Sequence, residues 1–495
     1  MEMAMEMEAG DPPGAGEDGG GVDVIGDLPD DLLGEIITLL PTKDGVRTQI
    51  LARRWRHLWR SAPLNLDCRG LVKRRLQHPG VVSRILTSHL APCRRFWVDI
   101  HDFMRIDATK DELLRMNAAV DQWLRSAALR NLQELGVSLS CHLVYPMASY
   151  ISRLSTTLGV ATIANCNLHD STVQGLRFAQ LKQLALESVR ISECSLHHMI
   201  AGCPALERLL INCSFGFRCV RINSLSLTSI GVYVRCMWYK ELKLEELIVE
   251  NAPCLKRLLH LEQNVHGGHL HISVISAPKL ETLRYLSNFT KISFGSAVIQ
   301  GLCVDSLMAV VRTVKILAVD MHVLSLDAVI QLMGFFPCLE KLYIECSFHS
   351  FQSGPTNVWR LLKKQNLIRY LDIPLKTIVL EQYRGTKSQV SFLTFFVLHA
   401  RLLEVMTLGI RITDNSEEFL AEQRRKLQLE NRVSTDARFY FTTDRYIRNY
   451  CVICVLITVR VHGLIMLYLT VFWNFSFTQT SELSQTVCGV VNTRK

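Results

Sequence analysis

The chain has 495 residues, a formal net charge of +9 and 48% hydrophobic residues, so it is long enough for about three domains and apolar enough to bury a large core. Residues 1–35 hold eleven acidic residues and no lysine or arginine, whereas residues 47–75 hold nine basic residues and one acid. Because acidic residues close to a basic segment lower the potential that a phosphate meets, this charge distribution argues against indiscriminate nucleic-acid binding.

The N-terminal segment, residues 1–22, is acidic and glycine-rich, and we predict a disordered leader. It has neither the positively charged start nor the apolar core of a secretory signal. We therefore expect the sixteen cysteines to lie in a reducing compartment as small buried side chains rather than in disulfides. The expected location is the nucleus and/or the cytoplasm.

Three short helices are predicted after the leader. Asp30 and Asp31 favour the N-terminus of the first helix, in which apolar residues recur at three- and four-residue steps until Pro41 ends it. Thr42 is the predicted N-cap of the second helix. The third helix contains the segment "RTQILARRWRHLWRS", residues 47–61.

The two faces of the third helix differ in chemistry, because at 100° per residue one side is apolar and the other is basic. The apolar stripe consists of Leu51, Trp55, Leu58 and Trp59, and the basic side consists of Arg53, Arg56 and Arg60. So small a bundle has too little interior to bury both tryptophans; either the later chain or a separate protein must cover them. We interpret the arginines as a solvated face rather than a nucleic-acid site, because the aromatic residues point away from them.

This helical segment is similar to a known motif over roughly residues 26–66. The pairs Leu28-Pro29 and Leu32-Leu33, the turn "LLPTKDGVRT" and the segment "LARRWRHLW" closely resemble the F-box. The resemblance implies that the apolar surface of these helices docks on the Skp-type adaptor of a cullin-based ubiquitin ligase. Gln49 and Ala52 stand where similar plant proteins usually have small hydroxyl residues, a difference expected to weaken docking without abolishing it. The implied adaptor-binding residues are Leu28, Pro29, Leu32, Leu33, Ile36, Leu40, Pro41, Val46, Ile50, Leu51, Trp55, Leu58 and Trp59.

From residue 132 onward, leucine-like residues recur at positions i, i+3 and i+5. The pattern occurs in "LQELGVSL", "LKQLALES", "CPALERLLINCS", "LEELIVENAPCLKRL", "APKLETLRYL", "VKILAVD" and "FPCLEKLYIECS". Pro-x-Leu starts at Pro204, Pro253, Pro278 and Pro337 are 49, 25 and 59 residues apart, close to multiples of a leucine-rich-repeat unit. We predict a curved solenoid of parallel strands joined by return segments, several of which lack a clear helix pattern.

A solenoid with a docking domain at one end has the form of a receptor, because the exposed side chains of its strands can vary freely. Glu207, Arg208, Glu340 and Lys341 lie between strand leucines and are candidate ligand contacts. For any single one of them, an ordinary solvated position is the favoured explanation. The substrate-binding residues are therefore left unassigned.

Residues 375–410 predict a strand, a turn at Gly385, an amphipathic helix and another strand, and a charged helix follows. With Leu380, Tyr383 and Gly385, "HARLLEVMTL" and "RRKLQLE", this region resembles the FBD domain of plant F-box proteins. An unlike module at the end of a solenoid covers the apolar face of the last repeat. We therefore expect a small α+β cap.

The final residues, 443–495, continue past the point where that family usually ends. Residues 461–477 are mostly apolar and uncharged, at the short limit for a membrane span, and Arg460 interrupts any longer one. A weak membrane anchor, an aggregation-prone strand and a non-native extension are the alternatives, and we favour the last. A membrane is therefore not an expected partner.

The sequence contains no G-x-S-x-G elbow, phosphate-binding glycine loop or H-E-x-x-H helix. His266, His269 and His271 could supply nitrogens to zinc, but no fourth ligand is evident nearby, so we favour a polar turn. Cys451 and Cys454 form a lone C-x-x-C pair without a second pair at zinc-site spacing. We expect no enzymatic activity, no cofactor and no metal.

The predicted fold class is α/β: a three-helix F-box, an irregular leucine-rich-repeat solenoid with parallel strands, and a small α+β FBD cap. The predicted boundaries are 1–22 for the leader, 23–68 for the F-box, 69–130 for a helical linker and solenoid N-cap, 131–372 for the repeats, 373–442 for the FBD domain and 443–495 for the tail. The predicted function is substrate recognition in a Skp–cullin–F-box ubiquitin ligase, with an unidentified protein target. The alternatives are an interaction scaffold outside any ligase, and a basic nucleic-acid or membrane-surface binder.

Overall fold

A computed structural model describes residues 28–68, 79–103, 108–139, 153–154, 156–235, 242–263, 270–287, 290–305, 309–321, 323–346 and 373–443. The predicted leader, and the predicted tail beyond residue 443, lie outside these ranges. Within them, no helix is both long enough and apolar enough to cross a membrane.

The three predicted helices are present near the N-terminus. They are α1 (Asp30–Leu39), α2 (Thr42–Arg47) and α3 (Arg53–Ser61), with a 3-10 turn (Thr48–Ile50) after α2. The predicted N-cap is wrong: Pro41 occupies the cap position, and Thr42 is the first residue of α2. Thr42 is buried, and its hydroxyl bonds to β1 of the neighbouring sheet rather than to its own helix.

A large sheet of fourteen strands runs from residue 64 to residue 442. Each of its strands pairs in parallel with the next. In spatial order the strands are β1 (Leu64–Asp67), β2 (Cys93–Asp99), β3 (Glu134–Ser138), β4 (Val160–Ala164), β6 (Gln183–Glu187), β8 (Arg208–Asn212), β10 (Ser229–Arg235), β12 (Arg257–Gln263), β14 (Thr282–Ser287), β18 (Ile316–Met321), β19 (Lys341–Cys346), β20 (Thr377–Leu380), β21 (Val405–Gly409) and β22 (Arg438–Thr442). The predicted solenoid of parallel strands is confirmed.

The repeated leucines fill the core of this solenoid. In the repeat that contains β6, Leu181, Leu184 and Leu186 are each at most 2% exposed, while the alternate strand residues project from the opposite face. The repeat that contains β12 departs from the apolar pattern, because His260 occupies its i+5 position. His260 is buried, and this burial lowers its pKa to about 4.

The segment predicted as a helical linker, residues 69–130, also contributes to the sheet. It contains the helices α4 (Gly80–Ser88) and α5 (Lys110–Leu124). The structure differs from the prediction between them, where β2 pairs with β1 and β3. Phe96 and Val98 alternate along β2 and are fully buried, a period-two pattern that is too short to stand out between two helical segments.

The return segments are helical in some repeats and extended in others. The helical ones are the short α6 (Asp170–Val173), α7 (Glu193–Ala201) and α8 (Leu326–Phe335); beside α6 and α7, β5 (Asn167–Leu168) pairs with β7 (Arg190–Ile191). In the middle of the solenoid the return segments instead form a second sheet: β9 (Cys219–Asn223), β11 (Glu246–Asn251), β13 (His271–Val274), β15 (Lys291–Phe294), β16 (Ala297–Gln300) and β17 (Cys303–Val304). Its first three pairings are parallel and its last two are antiparallel. The weak helix pattern in this part of the sequence reflects these strands.

The FBD region extends the large sheet instead of forming a separate sheet, since β20, β21 and β22 follow β19. The i, i+3, i+5 pattern continues there in the buried triplets Leu375, Ile378, Leu380 and Leu403, Met406, Leu408. Two helices complete the region, α9 (Lys387–His399) and α10 (Glu417–Lys426). The expected cap is therefore a continuation of the repeats with larger helices on the return side.

The three FBD marker residues have identifiable structural roles. Leu380 is fully buried, as is Tyr383, whose hydroxyl donates to Gln423 Oε1 at 2.8 Å. Gly385 has φ = +67°, and a Cβ atom built on it would lie 2.4 Å from the same Gln423 oxygen. Position 385 therefore requires glycine both for its backbone conformation and for its contact with α10.

Candidate adaptor-docking surface

The structure divides the thirteen predicted adaptor-binding residues into three groups. The exposed ones are Pro29, Leu32, Ile36, Pro41, Ile50 and Leu51. The half-buried ones are Leu28, Leu40, Val46 and Trp55. The buried ones are Leu33, Leu58 and Trp59. Only the first two groups present side-chain surface that a second protein could cover.

Of the two alternatives for the tryptophans, cover by the later chain holds for Trp59. Its ring packs edge-on against His89 with the ring centroids 4.9 Å apart, and Gly45 lies close to the indole nitrogen. His89 follows α4 and is fixed by a 2.8 Å hydrogen bond between its Nε2 and the Ala62 carbonyl. The later chain thus supplies the interior that the three helices lack, and Leu33 and Leu58 belong to the same core cluster as its residues. Trp55 is half-buried against the same core.

An apolar stripe remains exposed along α1. Leu32, Ile36 and Leu39 are spaced by four and three residues, so they share one face of the helix, and they are 53%, 40% and 64% exposed. Leu39 was not among the predicted residues, although its position seven residues after Leu32 continues the helical period. Exposed apolar stripes of this kind mark interaction sites.

A second apolar feature lies between α2 and α3. Ile50 and Leu51 are 81% and 66% exposed. Ala52 is the N-cap of α3 and makes no side-chain hydrogen bond, because alanine has no acceptor to offer the helix N-terminus. Gln49 donates instead to the Val46 carbonyl at 3.1 Å. The two departures from the F-box pattern therefore act on the cap and the turn that present Ile50 and Leu51.

Charged residues join α1 to α3. Arg54 Nε bonds to Asp30 Oδ1 at 2.6 Å, and its Nη2 bonds to the Leu28 carbonyl at 2.5 Å. The three arginines interpreted as a solvated face, Arg53, Arg56 and Arg60, are all exposed. The basic side of α3 is thus accessible to solvent, while Arg54 holds the start of α1 in place.

Polar bonds also attach the helical domain to the edge of the large sheet. The Thr42 hydroxyl donates to the Asn65 carbonyl at 2.9 Å and accepts from the Asp67 amide at 2.8 Å. The Asn65 side chain in turn donates to the Thr38 carbonyl at 2.8 Å. The buried Thr42 hydroxyl bonds to backbone groups on the edge of β1 that a neighbouring strand would otherwise bond. These contacts fix α1 and α2 to the solenoid.

The four candidate ligand contacts of the repeats lie at the beginnings of strands. Glu207 pairs with Lys182 at 3.5 Å, and Glu340 pairs with Lys376 at 3.4 Å. Arg208 is half-buried and Lys341 is exposed. Solvent-exposed ion pairs of this kind contribute little to stability, which fits the interpretation of these positions as solvated.

No metal site forms in the part of the chain that the structure describes, where no group of three or more His, Cys, Asp or Glu residues is suitably placed. His271 lies 3.5 Å from Glu246 Oε1 and 3.3 Å from Ser293 Oγ. The other candidate ligands, His266, His269, Cys451 and Cys454, fall outside the described residues, so the predictions about them stay predictions.

Three family models match separate parts of the sequence. The F-box domain model matches residues 25–67, and the FBD model matches residues 364–408. Between them, residues 120–344 match a model described as the leucine-rich repeats of the FBD-associated F-box protein At5g56370. The chain therefore contains an F-box, leucine-rich repeats and an FBD region, in the order that the sequence patterns predicted.

Several proteins of Arabidopsis thaliana are similar to parts of the chain. F-box protein At5g03100 is 28% identical over 42% of this chain and 61% of its own length, and putative F-box/LRR-repeat protein At3g28410 is 30% identical over 39% and 38%. Putative F-box protein At3g44060 is 24% identical over 77% of this chain and 92% of its own length. The chain thus spans less than two thirds of the first two relatives. F-box/LRR proteins are typically non-catalytic adaptors, and none of the three matched models describes a catalytic domain.

Proposed function

We propose that this chain is the substrate-recognition subunit of a Skp–cullin–F-box ubiquitin ligase in the nucleus and/or the cytoplasm. Its F-box docks on a Skp-type adaptor, which connects it to a cullin, and its leucine-rich repeats bind a target protein. Other subunits transfer ubiquitin. The chain itself acts by proximity: it raises the local concentration of the target near the ubiquitin carrier and supplies no nucleophile.

The exposed stripe of Leu32, Ile36 and Leu39 is the observation that best supports adaptor docking. Three large apolar side chains on one helix face remain uncovered, although Leu33, Leu58 and Trp59 of the same small domain are buried. Ile50 and Leu51 add apolar surface at the turn before α3. Burying such side chains against a partner gains about 25 cal/mol per Å² of apolar surface, which favours a protein partner over solvent exposure.

Capture by a purified Skp-type adaptor tests this assignment. The Leu39→Asp and Ile50→Asp variants each place a charge at an apolar contact, and loss of one such anchor costs about 2 kcal/mol or more, or roughly 30-fold in affinity. Leu225→Asp is the matched control, because Leu225 is 71% exposed in a connection between strands of the repeats. We expect the control to bind like the unmodified chain.

Two outcomes would contradict the proposal. If Leu39→Asp and Ile50→Asp bound the adaptor as tightly as the control, the exposed stripe would not be the docking surface. If the unmodified chain captured neither adaptor nor cullin, a scaffold outside any ligase would replace the ligase subunit. If the adaptor is captured as expected, mass spectrometry of the proteins retained by the chain while the proteasome is inhibited would identify the target.

A further inference from the structure

A row of three arginines lies along one side of α3. Arg53, Arg56 and Arg60 are spaced by three and four residues, so they share one helix face, and all three are exposed. The row is about 10 Å long, because an α-helix rises about 1.5 Å per residue. Among the described residues none of these three side chains takes part in an ion pair; the ion pairs within the helical domain involve Arg47 and Arg54 instead.

Exposed apolar side chains lie close to the row. The Arg56 Nε donates to the Gln49 carbonyl at 3.4 Å, which brings the row next to Ile50, a residue that is 81% exposed. Leu90 is 80% exposed, and its amide donates to the Arg60 carbonyl at 3.1 Å at the other end of α3. A segment that covers this surface therefore needs acidic groups for the row and apolar groups beside it.

The leader, residues 1–22, has the complementary composition. It holds six acidic residues and no lysine or arginine, and it begins "MEMAMEME", in which every second residue is methionine. Methionine side chains are unbranched and adapt to irregular apolar surfaces, and blocks of like charge commonly serve as interaction segments. Both groups that the α3 surface requires are thus present in one short stretch of the same chain.

The place where the described chain begins brings the leader close to this surface. Leu28 is the first described residue, and its carbonyl accepts a 2.5 Å hydrogen bond from Arg54 Nη2 on α3 itself. Residues 23–27 join it to the leader, and five residues span up to about 17 Å, which exceeds the length of the row. Attachment at this distance gives an effective concentration on the order of millimolar, so ion pairs that are individually weak suffice for binding.

We propose that the acidic leader binds the arginine row of α3 in its own chain, with its methionines packed against Ile50 and Leu90. Because this contact covers Ile50, the adaptor must displace the leader before it docks, and the leader lowers adaptor affinity. The competition rests on the proposed function, whereas binding of the leader does not. Nucleic acid is a poorer occupant of the row, because the leader brings six negative charges to the same place.

NMR of the full chain with ¹³C-methyl-labelled methionine tests binding of the leader. The reference is a synthetic peptide of residues 1–22, which shows the methyl signals of the unbound leader. At about 50 mM salt we expect the signals of Met1, Met3, Met5 and Met7 to differ from those of the peptide. At about 500 mM salt, where the charges are screened, they should coincide with them.

The variant Arg53→Gln/Arg56→Gln/Arg60→Gln should give peptide-like signals already at low salt. The matched control, Arg401→Gln/Arg411→Gln/Arg424→Gln, removes the same charge from exposed arginines of the FBD region and should keep the signals of the unmodified chain. The remaining methionine signals show whether each variant is folded. If the α3 variant is not, the salt titration of the unmodified chain decides.

Adaptor capture measures the competition separately. Glu2→Gln/Glu6→Gln/Glu8→Gln leaves α3 unchanged and removes three charges from the leader. At low salt this variant should bind a purified Skp-type adaptor about fivefold more tightly than the unmodified chain, and at about 500 mM salt the two should bind equally.

Peptide-like signals in the unmodified chain at low salt would overturn binding of the leader, as would unchanged signals in the folded α3 variant. Equal adaptor affinities of the glutamate variant and the unmodified chain at low salt would overturn the competition. The NMR comparison needs no adaptor, so a failure of the ligase assignment would be seen only in the capture experiment.

Discussion

Replacing Gly385 by alanine should destabilise the C-terminal part of the solenoid. The new Cβ atom would lie 2.4 Å from Gln423 Oε1 and 2.9 Å from its Cδ. Gln423 is 1% exposed, so its side chain has no solvent space to move into. Any movement breaks the 2.8 Å bond from the Tyr383 hydroxyl and leaves two buried polar groups unsatisfied.

The magnitude has two parts. A residue other than glycine at φ = +67° costs about 1 to 2 kcal/mol, and loss of a buried hydrogen bond costs about 1 to 3 kcal/mol. Together they predict a loss of about 2 to 5 kcal/mol. The control is Gly295→Ala: its φ is +58°, but a Cβ there would meet nothing within 4 Å. This variant should lose only the backbone part.

Amide hydrogen exchange of α9 and α10 during urea titration measures the effect locally, which suits a long array that need not unfold in one step. Exchange in these helices should become faster in Gly385→Ala and stay nearly unchanged in Gly295→Ala. The double variant Gly385→Ala/Gln423→Ala should lose less stability than the sum of the losses in the two single variants, because the clash between the new Cβ atom and Gln423 has been removed. Equal losses in the two alanine variants would refute the role given to Gln423.

Three further changes have predictable effects. Ala52→Ser supplies an acceptor at the N-cap of α3 and should stabilise that helix by about 1 kcal/mol; amide exchange in α3 that is no slower would contradict this. Thr42→Val removes both hydroxyl bonds to β1, so we expect a loss of about 2 to 3 kcal/mol and markedly faster exchange at the Asp67 amide, which an unchanged Asp67 signal would disprove. Glu187 has a pKa raised from 4.5 to about 7, so the folded chain holds a proton that the unfolded chain releases, and stability falls as pH rises from about 4.5 to 7. Glu187→Gln should therefore stabilise the chain at pH 8, by on the order of 3 kcal/mol, and have little effect at pH 4; urea titrations with the same gain at both pH values would contradict this.

Local sequence was sufficient to predict the strands of the repeats, because each strand places its core residues within six consecutive positions. Leu181, Leu184 and Leu186 illustrate this: their spacing alone indicates a strand with one buried face. The second sheet was not predicted, since segments such as "CVRIN" become strands only by pairing with neighbours more than twenty residues away. The helices of the F-box were predicted from their period and proline boundaries, which are also local signals.

Burial within the docking domain depended on residues that are far away in sequence, and here prediction failed. Trp59 lies on the same helical stripe as Trp55, and the sequence offers no reason to separate them. His89, thirty residues later, covers the Trp59 ring, while Leu39 stays exposed because no later element reaches it. The neighbouring positions of Glu187 and Asn212 were likewise invisible, because these residues meet only through strand register.

The attachment of the helical domain to β1 bears on how a receptor of this design would work. Effective concentration depends on how stiffly two sites are connected, and a flexible link spreads a bound target over a large volume. Here Thr42 and Asn65 bond α1 and α2 directly to the edge of the sheet, and Trp59 packs against His89 beside the same strand. The same burial that removes Trp59 from the docking surface therefore fixes the orientation of the solenoid relative to the helical domain. A target held on the solenoid would keep one orientation relative to a partner on α1, as a proximity mechanism without a catalytic residue of its own requires.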